Sequence, residues 1–579
     1  MRYSTLAKVY EELSSTTKRL EKTAILAKFL NQISDEDKDI LYLLLGDIYP
    51  EYDERRIGIS EQLAIKALSK ATGIEKKEIV NEWKKLGDLG KVAELLTSSK
   101  KQSTLQTHVL TTEKVLTNLR KLPELEGHGT VDKKIALITE LLTSASPTEA
   151  KYLTRTLIGD LRVGIKESTI RESIAKAFFK YSDKQEEKEI ALKIQDAIDK
   201  SNDIAAVFEM SKKGKLKNLD AIHLEVGKPI KAMLAQKAKN ITEGFKAVGK
   251  PAAIEYKYDG FRMIIHKNKE EVKLFTRSLE NVTKQFPEVV EYILKNVKGN
   301  SFILDSEAVG YHKKTKVYTP FQDISQRIRR KYDIEKMQRD LPIEINVFDI
   351  LFYNGKPQLK KPFKKRTELL KKILKNNPYK IIHAKQIITS SEDEAKKFYK
   401  KALADNQEGI MMKNLDAPYK PGRRVGNMLK IKPEEKDLDV VIIGAEYGRG
   451  KRSGWLSSFN IACYDKNKKE FLEIGKVSTG LKEKETEIGD DNTLSFEELT
   501  KLIKPYIEKE HGKNVDIKPK IVLSVTYQEI QHSPNYKSGF ALRFPRFTAL
   551  RPDKSPSDAT SLEEVKKDFE NQKRNWRYG

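Results

Sequence analysis

A chain of 579 residues, 38% hydrophobic and 33% charged, has the length for about three or four soluble domains, each with its own core. Its formal charge of +25 favours a polyanionic partner, although a lysine-rich composition alone gives the same balance. One cysteine, Cys463, excludes internal disulfides and any multi-cysteine zinc site, and no apolar run of about 18 residues exists to span a membrane.

The chain begins with Leu6, Val9, Tyr10 and Leu13 at helical spacing among charges, not with the apolar core of a signal peptide. An intracellular, cytoplasmic protein is expected. Residues 1–220 read as a helical domain, with apolar positions three and four apart through 22–45, 60–82 and 134–158. Inside it, Arg162 and Lys166 stand just before a helix whose expected N-cap is Ser168. A helix N-terminus flanked by cations suits a phosphate, and an ordinary capped loop explains these residues equally well.

From 221 to 433 the pattern becomes short β-like runs, at 254–258, 263–266, 273–276, 302–304, 343–348 and 409–413. The lysine-rich stretch 364–375 reads as a surface helix. Residues 434–579 open with a strand run at 438–445 and continue with strands near 459–462 and 521–527, which suits a small β-barrel.

The chemistry concentrates in the middle part. Glu255-Tyr256-Lys257-Tyr258-Asp259-Gly260-Phe261-Arg262 sets a lysine at the end of an apolar strand, before a glycine turn. Lysine becomes a nucleophile when burial or a neighbouring cation favours its neutral form, and Arg262 lies five residues on. Alone, this is a weak signal. Glu307 follows near the end of an apolar strand, where a carboxylate can hold a divalent metal beside phosphates. Phe348 offers a ring to a base, and Glu408 adds a second carboxylate ahead of another apolar strand. Lys430 and Lys432 alternate with apolar residues and so share one strand face, where paired cations suit a phosphate. Each has an ordinary structural explanation as edge carboxylate, core ring or solvated face. Coincidence explains the ordered set poorly.

These segments resemble the motifs of the ATP-dependent DNA ligases of archaeal and eukaryotic replicative type, in the nucleotidyltransferase superfamily. The motifs are Lys257-Tyr258-Asp259-Gly260, Phe275-Thr276-Arg277-Ser278, Asp305-Ser306-Glu307, Val347-Phe348-Asp349, Glu408 to Lys413, and Leu429-Lys430-Ile431-Lys432. The resemblance implies a multidomain α+β protein: an all-helical DNA-binding domain at 1–220, an α+β adenylation domain at 221–433 and a C-terminal OB-fold β-barrel at 434–579. It implies that Lys257 takes AMP from ATP as a phosphoramidate and that the AMP passes to the 5′-phosphate of a nick. The 3′-hydroxyl then expels it, in replication, repair and recombination. Glu255, Arg262, Arg277, Glu307, Phe348, Arg424, Lys430 and Lys432 would hold the nucleotide, with Glu307 and Glu408 as Mg²⁺ ligands. Nicked duplex DNA would be met by Arg162, Lys166, Phe321, Arg543 and Phe544. The family also implies a monomer.

Related activities fit less well. A capping guanylyltransferase does not need about 220 residues of basic helical domain. An NAD-dependent ligase carries four zinc-binding cysteines, and an RNA ligase shares the core but not the flanking parts. A non-catalytic nucleic-acid-binding protein on a decayed scaffold conflicts with the intact lysines and carboxylates. A sliding clamp is a weaker partner: Gln102 is present, but the paired aromatics that anchor such contacts are missing after it.

Overall fold

Apolar residues three and four apart build the N-terminal part from helices. The computed structural model describes residues 1–98, 109–127, 129–220, 222–330, 332–433, 436–448, 452, 454–483 and 494–577. Tyr3–Ser14 buries Tyr3, Leu6, Tyr10 and Leu13 on one face. Glu61–Thr72 starts at Ser60, whose hydroxyl accepts from the Leu63 N–H, and stops at Gly73 with φ +75°. The apolar spacing outruns the helices: 22–45 is divided into Arg19–Leu30 and Ile40–Leu45. In 134–158, Pro147 opens a new helix, Pro147–Leu157, because proline is tolerated only in a first turn. Ser168 is not the N-cap. Glu167–Phe178 begins on Lys166, which leaves Ser168 inside the first turn. Arg155 and Asp88, both buried, pair at 2.6 Å and join Pro147–Leu157 to the start of Leu89–Ser98.

The strands that follow are β1 (Leu234–Lys237), β2 (Ala252–Lys257), β3 (Phe261–Asn268), β4 (Glu271–Thr276), β5 (Ser301–Gly310) and β6 (Ile343–Tyr353). They continue with β7 (Lys356–Pro357), β8 (Ile381–His383), β9 (Gln386–Thr389), β10 (Gly409–Asn414) and β11 (Arg424–Ile431). One sheet runs β1-β11-β10-β2-β9; the other runs β4-β3-β5-β6-β7, with β8 beside β6. In the first sheet Ile254, Tyr256, Ile410, Met412, Leu429 and Ile431 pack into one core. Strand alternation therefore sends Glu255, Lys257 and Lys430 to the opposite face. The helix Phe363–Ile373 is more than a surface helix. Phe363, Arg366, Thr367, Leu370 and Ile373 are buried, and Arg366 pairs with buried Asp349 at 2.7 Å.

The chain divides into two compact units, Met1–Ile431 and Lys432–Gly579. The second unit is rich in antiparallel strands: β12 (Lys436–Tyr447), β13 (Leu456–Asp465), β14 (Glu470–Val477), β15 (Ile507–His511), β16 (Asn514–Ile517), β17 (Val522–Tyr527), β18 (Glu529–His532), β19 (Phe540–Arg543) and β20 (Arg546–Leu550). The long β12 pairs with β13, β16 and β17, and the helices Phe496–Ile503 and Leu562–Arg577 add Phe496, Leu499 and Val565 to its core. The fold class expected from the sequence is the one observed: helical, then α+β, then β-rich. Among the described residues no helix is long and apolar enough to cross a membrane. The segment around Gln102 lies outside them.

Candidate active site

Lys257 ends β2 in one sheet, and Phe261 begins β3 in the other. Gly260 makes that crossing. A Cβ there would lie 2.2 Å from the carbonyl oxygen of Ala308, so only glycine lets the turn pass against β5. The Lys257 ammonium meets the Glu408 carboxylate at 2.6 Å, and the Glu408 N–H donates to the Lys257 carbonyl at 2.9 Å. Both side chains are partly open, at 21% and 16% exposure.

Glu307 comes from the other sheet, opposite Arg262 in register. Burial pushes its carboxyl up to about 8; Lys257 and Arg262 oppose that shift, while Glu408 and Asp305 add to it. Two cations and three carboxylates thus converge on the end of β2. Because Glu307 keeps its proton in the folded chain to about pH 8, against 4.5 ordinarily, the native state binds the extra proton between those values. The stability it contributes is full below about pH 4.5 and is lost as pH rises towards 8. Glu307→Gln is expected to flatten that stretch of a melting-temperature profile, and an unchanged slope would assign the proton to another group.

Glu255 lies deeper. Burial pushes its carboxyl up, although Lys413 approaches at 2.5 Å and Gln386 donates to it at 2.8 Å. Phe348 is flanked by two cations, with the Lys413 ammonium 4.7 Å and the Arg262 guanidinium 5.3 Å from its ring centre. Lys430 sits two strands from Glu255, since Met411 of β10 is opposite Glu255 on one side and Lys430 on the other.

The remaining expected nucleotide residues lie differently. Arg277 is exposed, one residue beyond the Met263–Thr276 register pair, at the Arg262 end of the sheet. Arg424 is exposed at the far end of β11, six residues or about 20 Å from Lys430, and donates to the Ala235 carbonyl at 3.4 Å. Lys432 opens the second unit. Among the described residues no group of three or more His, Cys, Asp or Glu side chains is arranged for a metal. Glu307 and Glu408 supply two carboxyl groups, the number Mg²⁺ takes when substrate phosphates complete its shell; they fit the ion once its charge displaces the proton that burial keeps on Glu307.

Of the expected DNA contacts, Lys166 is exposed. Arg162 is engaged internally, with Asp160 at 2.7 Å and Asp88 at 3.4 Å. Phe321 starts the helix Phe321–Arg329 and packs partly against the core of the second sheet. In the C-terminal unit Phe544 is 70% exposed with φ +51°, under an Arg543 guanidinium that pairs with Glu529 at 2.9 Å. Lys413, Gln386 and Asp305 are partners in the site that the motifs alone leave without a role. A lysine inside the apolar β10 run is a signal, because a buried ammonium needs a carboxylate; Gln386 gave none.

Three family models match the chain: DNA ligase N terminus over residues 2–175, ATP dependent DNA ligase domain over 232–432, and ATP dependent DNA ligase C terminal region over 452–554. Curated proteins named DNA ligase from Nanoarchaeum equitans and Thermococcus onnurineus are 45% and 41% identical to it, over 99% of each chain. The DNA ligase of Methanopyrus kandleri is 39% identical over 98% of this chain and 99% of its own. The solved structure of Pmar-Lig_PreS3 shares the fold at a TM-score of 0.58 and 17% identity, covering 94% of this chain and 99% of that one.

Proposed function

This chain belongs to the ATP-dependent DNA ligases, and from that premise we propose that it seals nicks in duplex DNA with Lys257 as its nucleophile. The observation that carries the reading is the Lys257–Glu408 pair at 2.6 Å, at the end of β2 where Glu307 and Arg262 also converge. Lys257 Nζ attacks the α-phosphorus of ATP; the P–N bond forms as the P–O bond to pyrophosphate breaks. Attack needs the neutral amine, so the ion pair must first give up a proton. AMP then passes to the 5′-phosphate, and the 3′-hydroxyl displaces it.

Glu255 accepts from the adenine amino group, and Phe348 stacks on the base. Arg262 and Arg277 hold the ribose and phosphates, while Lys430 and Lys432 oppose charge on the α-phosphate; Arg424, at the far end of β11, is too distant to join them. Mg²⁺, held by Glu307, Glu408 and the substrate phosphates, would screen phosphate charge when bound. The enzyme works as a monomer. Its net charge of +25 makes DNA contact largely phosphate-directed and salt-sensitive, with Lys166 and Arg162 on the helical part and Phe321, Arg543 and Phe544 as further contacts.

The test incubates the protein with Mg²⁺ and α-labelled ATP or, separately, GTP, then adds a singly nicked duplex. Covalent label from ATP that chases into sealed DNA is expected. Label from GTP alone would mark a capping-type enzyme, and label from neither a binding protein.

A further inference from the structure

Arg262 is held from one side by three hydrogen bonds to two residues. Its Nε donates to Asp305 Oδ1 at 2.8 Å, its Nη2 to Asp305 Oδ2, and its Nη1 to the Met233 carbonyl at 2.7 Å. Behind them stands Tyr419, 3% exposed. Its hydroxyl donates to Asp305 Oδ2 at 2.7 Å, accepts the Met233 N–H at 2.9 Å and also accepts, at a longer 3.4 Å, from Arg262 Nη2. Asp305 is fully buried, so these are its means of compensation for lost water.

We propose that Tyr419 is a positioning residue for the nucleotide site: it fixes Asp305, and through it the one orientation in which Arg262 meets the nucleotide. The inference rests on Arg262 contacting the nucleotide, as proposed above. A carboxylate gripped only by Arg262 is free to turn with it. The Tyr419 hydroxyl removes that freedom, because it ties Asp305 Oδ2 to the Met233 backbone whose carbonyl also takes Nη1. The two segments that supply Met233 and Tyr419 brace each other: Gly422 N–H donates to the Lys231 carbonyl at 3.2 Å and Leu234 N–H to the Arg423 carbonyl at 2.9 Å. Both also grip the helical part, Lys231 through Glu51 at 2.5 Å and Arg423 through Asp199 at 3.2 Å. The hydroxyl therefore sits on a frame fixed independently of the strand that carries Arg262.

Tyr419→Phe deletes one oxygen and keeps the ring. The experiment measures KM for ATP and the limiting rate of Lys257 labelling. KM is expected to rise about tenfold, the effect of one hydrogen bond to a charged group, with the limiting rate kept within about twofold. In an Arg262→Ala background the same change should leave KM where that variant already has it. Asp305→Asn, which weakens the link from its other side, should raise KM by a similar factor. An unchanged KM in Tyr419→Phe or in Asp305→Asn would overturn the proposal. So would a rise that persists undiminished without Arg262, or a fall in limiting rate with KM constant. Wild-type protein that takes no label from ATP would instead overturn the nucleotide reading itself.

Discussion

Lys257→Ala is expected to take no AMP from ATP, a fall in covalent labelling of about 10⁴-fold or more, while the protein stays folded. The magnitude follows from the geometry. Of the other lysines on the same sheet face, Lys413 lies opposite Ala253 at the far end of β2 and is paired with Glu255, and Lys430 is two strands away, so among the described residues of this sheet no second amine stands at the end of β2. Stability should change little. The Lys257–Glu408 pair is partly exposed, and such pairs contribute at most about 1 kcal/mol. The informative comparison is a nick that already carries AMP on its 5′-phosphate. Closing it needs no attack by Lys257, so the variant should seal it at a rate within about tenfold of wild type. Equal losses on both substrates would mean that Lys257 organises the site without reacting, and retained labelling would move the nucleophile elsewhere.

Much of this was legible because the residues that matter sit on strands. Period-two alternation put Glu255 and Lys257 on one face of β2, and an apolar run ending in a carboxylate marked Glu307. Gly260 marked the turn between sheets. What stayed hidden depends on register and crossover, which no local pattern carries. Lys413 meets Glu255 because β10 lies antiparallel to β2 with Met411 opposite Glu255. Tyr419 and Met233, 186 residues apart in sequence, meet only because β1 runs parallel to β11. The lysine-rich composition of 364–375 suits a surface helix, yet its Arg366 is buried against Asp349. Of the two aspartate partners of Arg162, Asp160 is only two residues away in sequence, whereas Asp88 reaches it only because Leu89–Ser98 packs on Pro147–Leu157. Local propensity also misplaced the start of Glu167–Phe178, because serine is a strong cap in general while this turn closes through Thr169 Oγ1, 3.5 Å from the Lys166 N–H.

Gly260→Ala is the second large effect, and it acts by volume alone. The added methyl would stand 2.2 Å from the Ala308 carbonyl oxygen, 3.0 Å from its carbon and 3.1 Å from Glu307 Cγ. The first two atoms are backbone of β5, which is hydrogen-bonded to β3 on one side and β6 on the other, so the strand cannot retreat. The turn must move instead, and it carries the end of β2 with Lys257 and the start of β3 with Arg262. Overpacking of this kind costs about 1–3 kcal/mol in a core, and more where the obstacle is backbone. The catalytic cost should exceed the stability cost, since a shift of about 1 Å in reacting groups can cost about 100-fold in rate. Gly355→Ala is the matched control: its φ of +79° penalises a side chain, but nothing lies within 4 Å of the added methyl. That control should lose about 1 kcal/mol of stability and no labelling rate. If Gly260→Ala loses stability and activity only to the extent Gly355→Ala does, the close approach of the turn to β5 is not what holds Lys257 in place.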